Sequence, residues 1–345
     1  MFKTIPFVNF IISVFLLLCF FTTEKLFAQE AQGMVLKESL SLVGVKKVFL
    51  HASHSKLKLS AFSAEAKKIK ILSNSNSLLN KVIVKQLKKG KNLHLWIFKK
   101  TFLGEAKSVN KKPFIGEFLI QMPSLPVVLV QDLGSVFVEF WKSSLVIKKW
   151  NGPIEIKNTE ADISIFSQKG IINIEGHKGK LKIEAYDNKV SVNNSKGAFQ
   201  LNVFSGSISI NKVDAKINLS TYNASVLAED VKGRLTVQAQ NSSINLKKIY
   251  STTRVKTLKG KVKVSDIGAI SLNIFSTGKA SIAVGLKARS AKIFILSHRF
   301  KAKVPAGLVH KSLGKGEQVK GILKGINPKA FVVLKSKKGR ISLQL

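Results

Sequence analysis

The chain has 345 residues, of which 57 are Lys or Arg and 19 are Asp or Glu, and its formal net charge is +38. This length suffices for one large domain or two ordinary ones with a substantial core. The single cysteine, Cys19, excludes a disulfide framework within the chain. The core must therefore be stable by burial of apolar side chains alone.

The first residues are typical of an export signal. Lys3 belongs to a short, positively charged start, an apolar stretch from Phe7 to Phe21 follows, and Ala28 is a small residue at a suitable cleavage position. We therefore predict a signal peptide over residues 1–28, cleaved after Ala28, and a protein that is exported to the periplasm, the outer cell surface or the medium. A retained membrane anchor is the alternative, because the apolar stretch approaches the ~18 residues of a spanning helix.

Residues 36–115 contain several segments in which apolar and polar residues alternate: KVFLHAS, KLKLSAF, KIKIL, KVIVKQL and NLHLWIF. Alternation with a period of two is typical of strands. The connections between these segments are irregular in length. We predict a β-rich N-terminal cap or small domain, at which the regular part of the chain begins.

The sequence repeats at a regular interval over residues 116–278. Stepping by 18 reaches only residues that are small or suited to a tight turn. The second and the fourth residue after each of them are apolar at every step, and halfway through each unit a small residue and a second apolar pair usually follow. The opening positions are Gly116, Gly134, Gly152, Gly170, Asn188, Gly206, Ala224, Ser242 and Gly260. The apolar positions are Phe118, Val136, Ile154, Ile172, Val190, Ile208, Val226, Ile244 and Val262, and then Ile120, Val138, Ile156, Ile174, Val192, Ile210, Ala228, Leu246 and Val264.

This repeat predicts an all-β fold, a parallel β-solenoid with 18-residue two-strand rungs and irregular β-rich ends. Apolar residues two apart belong to strands whose alternate side chains point inward, so each unit makes two short strands and two corners. A strand pair cannot bury its apolar face alone, and successive units must stack. At about 4.8 Å per unit, nine units make a rod about 43 Å long.

The regular spacing is lost towards the C-terminus. In the unit from Gly260 the second apolar set slips by one residue, to Ile270, Leu272 and Ile274. Residues 279–345 keep strand alternation without the period, and the final segment PKAFVVLKSKKGRISLQL predicts two strands around a Lys-Lys-Gly turn. We predict that residues 279–345 form an irregular, basic β-rich end of the solenoid, which covers its open edge.

The segment FLIQMPS, with the units LGSVFVEFWKSSLVIKKWNGPIEIKNTEADISIF that follow it, resembles the bacterial family called putative adhesins. In that family a strand before a Pro is followed by a series of units, each with a Gly-x-apolar-x-apolar strand. The match covers roughly residues 40–345 and is clear over residues 116–278. The resemblance implies a β-solenoid of unknown function at the cell envelope or surface, and it implies no catalytic residues.

The acidic residues show no pattern that indicates catalysis. Glu139, Lys157 and Glu175 occupy one column in three successive units, which predicts surface pairing of opposite charges across strands. Carboxylate chemistry needs two acids close together, and the remaining acids fall in scattered columns. We therefore predict a protein that is not an enzyme and has no cofactor. The alternative is a solenoid lyase or hydrolase that acts on an acidic polysaccharide.

The histidines and tryptophans have ordinary structural interpretations. His51 and His54 lie three residues apart, so on a strand they face opposite sides and cannot bind one ion without a bend. We predict no metal site, and we interpret His177 as a tolerated corner residue. Tryptophans beside Val, Leu and Ile belong more often to the core, and we expect this of Trp96, Trp141 and Trp150.

The basic charge is concentrated at the two ends of the chain. Residues 37–112 and residues 279–345 each have a net charge of +15, whereas the longer central part, residues 113–278, has +8. Such a field attracts polyanions, and a highly soluble surface is the other interpretation. The residues predicted to bind polyanions are Lys85, Lys88, Lys89, Lys91, Lys99, Lys100, Lys335, Lys337, Lys338 and Arg340.

These observations predict a non-enzymatic, exported cell-envelope protein of a structural or adhesion type. The expected partners are anionic envelope polymers: lipopolysaccharide, acidic glycans or an anionic lipid surface. Nucleic acid is not expected, because the aromatic pattern of single-strand binding is missing and an exported chain seldom meets it. End-to-end self-association of the solenoid is a further hypothesis.

Overall fold

The computed structural model describes residues 35–52, 55–61, 67–73, 82–99, 116–250, 252–266, 271–286, 291–323 and 330–344. In these ranges the chain is all-β, and 23 strands form one open, mixed sheet. The same ranges contain no helix that could cross a membrane. The predicted signal peptide, with Ala28, lies outside them. The strands are β1 (Val35–Ser41), β2 (Lys47–Ala52), β3 (Ser55–Ala61), β4 (Lys68–Ser73), β5 (Val82–Lys89), β6 (Asn92–Lys99), β7 (Gly116–Met122), β8 (Val127–Gln131), β9 (Gly134–Glu139), β10 (Leu145–Asn151), β11 (Ile154–Lys157), β12 (Ile163–Glu175), β13 (Lys178–Asn193), β14 (Lys196–Lys232), β15 (Leu235–Ile249), β16 (Thr253–Ser265), β17 (Ser271–Ser276), β18 (Ala280–Gly285), β19 (Ala291–Ser297), β20 (Val309–Leu313), β21 (Gly316–Leu323), β22 (Ala330–Ser336) and β23 (Ile341–Gln344).

The central part of the sheet is parallel, and the offset between paired positions is constant and equal to the period of the sequence. Ile163 on β12 pairs with Leu145 on β10 and with Leu181 on β13. In the other half of the unit, Ile172 pairs with Ile154 and with Val190. The same offset joins β14 to β15 and β15 to β16. Paired positions in this part of the sheet are thus one period of the sequence apart.

The core consists of the alternate apolar residues of both strand segments. The first apolar column, from Val136 to Val262, is at most 2% exposed at every position. These side chains and those of the other strand segment, such as Ile165 and Ile183, belong to one contiguous hydrophobic cluster. Full burial stabilises each such side chain by about 1.5–3 kcal/mol relative to exposure, so the repeated column is a large part of the stabilising energy.

Each unit turns at two corners that have special backbone geometry. At Gly152, φ is 110°, and a Cβ atom would lie 2.1 Å from the carbonyl oxygen of Gly134 in the preceding unit. This contact explains the small residues at the start of each unit. At the other corner, one residue per unit adopts a left-handed conformation with φ between 49° and 64°: Phe140, Asn158, Gly176, Asn194, Lys212, Asp230, Lys248 and Asp266.

Part of the predicted N-terminal cap joins the regular sheet. β2 pairs in parallel with β8, and β3 pairs in parallel with β9, so β2 and β3 form a unit beside β8 and β9. β3 also pairs with β7 and therefore lies between β7 and β9. The predicted direct contact between the units that begin at Gly116 and Gly134 is wrong, because Ser55 pairs with both glycines.

At the C-terminal side the spacing changes as predicted and another distant strand enters the sheet. β17 pairs with β16 at an offset one residue longer than that of the regular units, since Leu272 is the partner of Thr253. The final segment forms two strands, as predicted, and β22 lies between β17 and β19 while β23 pairs with β18. The sheet then ends with the antiparallel strands β21 and β20.

Candidate binding groove and basic ends

An open groove with a volume of about 1440 Å³ lies on one outer face of the sheet. It is lined by the outward residues at the end of the second strand segment in each unit, from Val130 on β8 to Phe275 on β17. Successive units lie about 4.8 Å apart, so the backbones of the first and the ninth unit are about 38 Å apart. The site is thus long and open, a shape that fits an extended polymer.

Exposed aromatic side chains form a column along this groove, which we call the aromatic column: Trp150, Tyr186, Phe204 and Tyr222. Trp150 is 64% exposed, and each of the other three is more than 40% exposed. The prediction that Trp150 belongs to the core is therefore wrong, whereas Trp141 is fully buried as predicted. Inward and outward side chains alternate along β10. Ile147 and Lys149 point inward, so Trp150, the residue after Lys149, points outward.

Three rings of the aromatic column stack face to face. The ring centroids of Tyr186 and Phe204 lie 4.7 Å apart with an interplanar angle of 4°, and those of Phe204 and Tyr222 lie 5.0 Å apart with an angle of 7°. Stacking at this distance covers the inner faces of the rings. The outer faces of Tyr186 and Tyr222 are directed towards the positions of Gln168 and Gln240, which interrupt the column.

The groove has more basic than acidic lining residues. Its cationic side chains are Lys148, Lys149, Arg254 and Lys256, and its acids are Asp132 and Glu184. Glu184 is paired with Lys182 at 2.7 Å, which lowers its availability to a ligand. The groove therefore favours a ligand with negative charge.

Lys149 is a buried cation beside this groove. Its Nζ donates a hydrogen bond to Oε1 of Gln131 at 2.7 Å, and Nε2 of Gln131 donates to the carbonyl oxygen of Ser55 at 2.6 Å. Burial lowers the pKa of Lys149 to about 8, against the smaller opposing effect of Asp132. Because its hydrogen bond is directed into the protein, Lys149 joins β10 to β3 through Gln131.

The acids of the groove do not form a catalytic pair. Asp132 and Glu184 are three units apart, which separates their backbones by at least about 14 Å. Retaining glycosidases need carboxyl groups about 5–5.5 Å apart and inverting ones about 6.5–9.5 Å. In the part of the chain that the structure describes, no cluster of three or more His, Cys, Asp or Glu residues could hold a metal ion.

The predicted column of opposite charges is present on the surface of the other strand segment. Lys157 pairs in register with Glu139 and Glu175 in the neighbouring units. Its Nζ is nearest to Glu155, at 2.7 Å. The hydrogen bond to Glu155 is the main cause of the raised pKa of Lys157, and the charges of Glu155, Glu175 and Glu139 contribute. This arrangement stabilises the surface and is not a reactive site.

The histidines have two different environments. His51 and His94, on the paired strands β2 and β6, belong to a stack with Trp96, whose ring lies 5.4 Å from that of His51 and 5.7 Å from that of His94. Burial, and next the charge of His94, lower the pKa of His51. His54, the other member of the predicted pair, lies outside the described residues.

His177 lies at the corner between β12 and β13, as predicted, and its side chain is fully buried. Its Nδ1 is 2.9 Å from Oγ1 of Thr159, and its backbone N–H donates to Oγ of Ser195. The Nε2 atom is buried without a hydrogen-bond partner, as is Nε1 of Trp141 two units away. Burial is the main cause of the lowered pKa of His177. A neutral imidazole is therefore part of the folded core.

The predicted basic residues lie at two ends of the sheet and do not come together. Lys85, Lys88, Lys89 and Lys91, the N-terminal basic end, are exposed on β5 and on the turn to β6, and Lys88 donates to the carbonyl oxygen of Val43 at 2.8 Å. The side chain of Lys99 and all of Lys100 lie outside the described residues.

The C-terminal basic end consists of Lys335, Lys337, Lys338 and Arg340. Lys337 and Lys338 are exposed in the turn between β22 and β23. The Nζ of Lys335 lies 5.6 Å from the centroid of Phe275 and 5.5 Å from that of Phe294, and Arg340 lies over Phe300. Lys335 and Arg340 therefore have cation–π partners, and the two turn lysines are the more available to a ligand.

No protein-family model matches the sequence, and no curated protein matches it. Solved structures that are similar to the chain include two bacterial proteins. A putative cell adhesion protein from Clostridium sporogenes has 12% sequence identity and a TM-score of 0.23, over 90% of this chain and 98% of that one. A putative adhesin from Bacteroides fragilis has 10% identity and a TM-score of 0.29, over 90% of this chain and 96% of that one. Both TM-scores are low, so these likenesses carry no argument about function.

Proposed function

We propose that this protein is a non-enzymatic, exported cell-envelope protein of a structural or adhesion type, built as a parallel β-solenoid whose two basic ends bind anionic envelope polymers. Support for the solenoid is the constant offset between paired strands and the burial of alternate residues in both strand segments of each unit. A stack of such units is stable only when neighbours bury one another's apolar faces.

The observation that supports polymer binding is the exposure of lysines at both ends of the sheet. Lys85, Lys89 and Lys91 at the N-terminal basic end, and Lys337 and Lys338 at the C-terminal basic end, are exposed. Residues 37–112 and residues 279–345, which contain these lysines, each have a net charge of +15, so the local field at both ends is positive. A long polyanion gains from many weak contacts of this kind, each reduced by salt.

The separation of the groove acids supports a binding role over catalysis. A hydrolase would need two carboxyl groups at a defined short distance, and Asp132 and Glu184 are too far apart. The lyase or hydrolase hypothesis has no arrangement of described residues in its favour. The groove is therefore interpreted as a binding surface.

The lysines of β5 also affect self-association. β5 pairs with β6, and within the described ranges no other strand pairs with it, so it is an edge strand. Lysines on an edge strand oppose the addition of another strand, and two basic ends repel each other. We expect end-to-end association only near 1 M salt, where the Debye length falls to about 3 Å. X-ray scattering across a concentration series at low and high salt tests this expectation.

The test of polymer binding is a titration of the exported protein with purified lipopolysaccharide and with purified cell wall over a salt series. We expect affinity at low salt that falls as salt rises, and a large loss for the variant Lys85→Glu, Lys89→Glu, Lys91→Glu. A matched control with the same change of charge is Lys189→Glu, Lys232→Glu, Lys261→Glu, at exposed positions in the central units. Equal losses in both variants would show that only net charge matters, and absence of binding at low salt would refute the proposal.

A further inference from the structure

The outer face of the sheet near its C-terminal end is strongly basic, and we call it the cationic face. Six neighbouring strands form it, in the order β16, β17, β22, β19, β21 and β20, and they extend over about 24 Å. Alternate residues of β16, β19 and β21, such as Val255, Ile293 and Val319, are buried, so the residues between them point outward. The cations on this face are Arg254, Lys256, Lys292, Lys311, Lys320 and Lys335.

The positive charge of the cationic face is not balanced by acids. Among the residues that the structure describes on these six strands, the only acid is Glu317 on β21. Glu317 is buried on the opposite side of its strand, where Oε2 lies 3.0 Å from Nδ1 of His310 and Oε1 accepts a hydrogen bond from the backbone N–H of Ala302. The face therefore attracts a ligand with many negative charges.

Cations and apolar side chains alternate across the strands of this face. Lys292 lies between Phe331 and Ile322 on the neighbouring strands, and Lys335 lies directly beside Phe275. Like charges directly opposite one another would destabilise the sheet, and the apolar neighbours keep them apart. The result is a surface on which positive and apolar groups are mixed, without a separate patch of either.

The apolar side chains of the cationic face are well exposed. Val309 is 72% exposed, Ile322 is 65% exposed, and Leu313 and Phe331 are each just over 40% exposed. A soluble polyanion makes no use of such groups. A bilayer surface uses both kinds, because apolar side chains enter the boundary between headgroups and acyl chains while lysines reach the headgroups. The mixture thus favours a lipid surface.

The phenylalanine rings of this face are not arranged for stacking with a flat ligand. The side chains of Arg254 and Lys335 lie 5.8 and 5.6 Å from the centroid of Phe275. Those of Lys335 and Lys320 lie 5.5 and 5.6 Å from that of Phe294. The protein's own cations therefore interact with the faces of both rings. Single-stranded nucleic acid, whose bases stack on open ring faces, is disfavoured.

We propose that the cationic face binds the surface of a bilayer with anionic headgroups, and that Val309 and Ile322 enter its interface. The inference rests on the proposed function for the attraction of anions to this end of the sheet. It goes beyond that function in the ligand, which is a lipid bilayer, and in the apolar contribution to binding. Of the four residues of the C-terminal basic end, only Lys335 lies on this face.

Co-sedimentation of the exported protein with vesicles tests this proposal. One set of vesicles contains phosphatidylcholine alone, and the other contains equal parts of phosphatidylcholine and phosphatidylglycerol. We expect binding to the mixed vesicles only, and it should weaken as salt rises. The variant Val309→Ser, Ile322→Ser should weaken it about tenfold, because two apolar side chains no longer leave water. The control Ile171→Ser, Leu227→Ser removes apolar residues that are 44% and 42% exposed on central strands, and it should bind as the parent protein does.

A second pair of variants tests the charge of the face. Each lysine near an anionic lipid surface contributes about fivefold to the affinity, so the variant Lys292→Gln, Lys311→Gln, Lys320→Gln should weaken binding about 100-fold. The control makes the same change of charge at three exposed positions of the central units and should lose much less: Lys189→Gln, Lys232→Gln, Lys261→Gln. All these positions are exposed, and equal thermal midpoints would show that each variant is folded.

The proposal is overturned if neither kind of vesicle is bound, if phosphatidylcholine vesicles bind as tightly as the mixed ones, or if the two lysine variants lose binding equally. It is also overturned if Val309→Ser, Ile322→Ser keeps the parent affinity for mixed vesicles, since the ligand is then a polyanion of any kind. Dextran sulfate, a soluble polyanion, should bind this variant and the parent protein equally. Purified cell wall contains no bilayer, so its binding tests the proposed function separately and should be unchanged in the same variant.

Discussion

Substitution of Gly206 by alanine tests the corner geometry that joins one unit to the next. Gly206 has a φ of 110°, and a Cβ atom there would lie 2.1 Å from the carbonyl oxygen of Asn188 in the preceding unit. Ala224 occupies the same position one unit later and has no positive φ. The two positions therefore allow the same side chain to be compared in two backbone conformations.

The expected cost of Gly206→Ala has two parts. A non-glycine residue in this region of φ costs about 1–3 kcal/mol, and the backbone shift that relieves the Cβ contact costs about 1–3 kcal/mol more. The sum is about 2–6 kcal/mol of unfolding free energy. The reverse change, Ala224→Gly, removes only a methyl group and adds chain entropy, for about 0.5–1 kcal/mol.

Unfolding in guanidinium chloride, followed by far-ultraviolet circular dichroism, measures both effects. With an m-value of about 6 kcal/mol/M, Gly206→Ala should lower the midpoint by about 0.3–1 M. Ala224→Gly should lower it by less than about 0.2 M. The reasoning is refuted if Gly206→Ala leaves the midpoint unchanged, or if the two substitutions have equal effects.

Three other predictions concern the core and its buried ionisable groups. Ile172→Ala, at a fully buried position, should lower the unfolding free energy by about 2–5 kcal/mol, whereas the exposed neighbour Ile171→Ala should change it by less than about 0.5 kcal/mol. Because burial lowers the pKa of His177 in the folded protein, unfolding takes up a proton below about pH 6.5, so stability should fall as the pH decreases below that value. Thermal unfolding of His177→Gln should show a weaker dependence in this range, and equal slopes would contradict the assignment. The pKa of Lys149 is lowered to about 8, so the protein should gain stability relative to Lys149→Met as the pH rises from 8 towards 10.5, and a constant difference between the two midpoints would be the contrary result.

The sequence could predict the central units because their signal is local and repeated. Ile154 and Ile172 are one period apart in the chain and adjacent in the sheet, so the period alone determines the pairing. The left-handed residue at the other corner of each unit could also be predicted. Asn158, Asn194 and Asp230 recur in step with the period, and Asn and Asp tolerate a left-handed backbone. The aromatic column has the same signal, because its three stacked rings follow one another at intervals of one period.

The arrangement of the ends could not be predicted from a local pattern. β3 lies between β7 and β9, and β22 lies between β17 and β19, although each is far from its neighbours in the chain. Their apolar alternation is shared by every other strand, so it does not identify a partner. The burial of His177 could not be predicted for a related reason. Its side chain occupies a buried column with Trp141, Thr159 and Ser195, and such a mixture of residue types does not indicate burial.

Binding of purified cell wall at low and at high salt tests the proposed role most directly, when the parent protein is compared with the variant Lys85→Glu, Lys89→Glu, Lys91→Glu and with the control Lys189→Glu, Lys232→Glu, Lys261→Glu. A protein that binds envelope polymers at its basic ends should lose most of the salt-sensitive binding in the first variant and keep most of it in the control. If the first variant binds cell wall as the parent protein does at every salt concentration, or if both variants lose binding equally, polymer binding at the basic ends is contradicted.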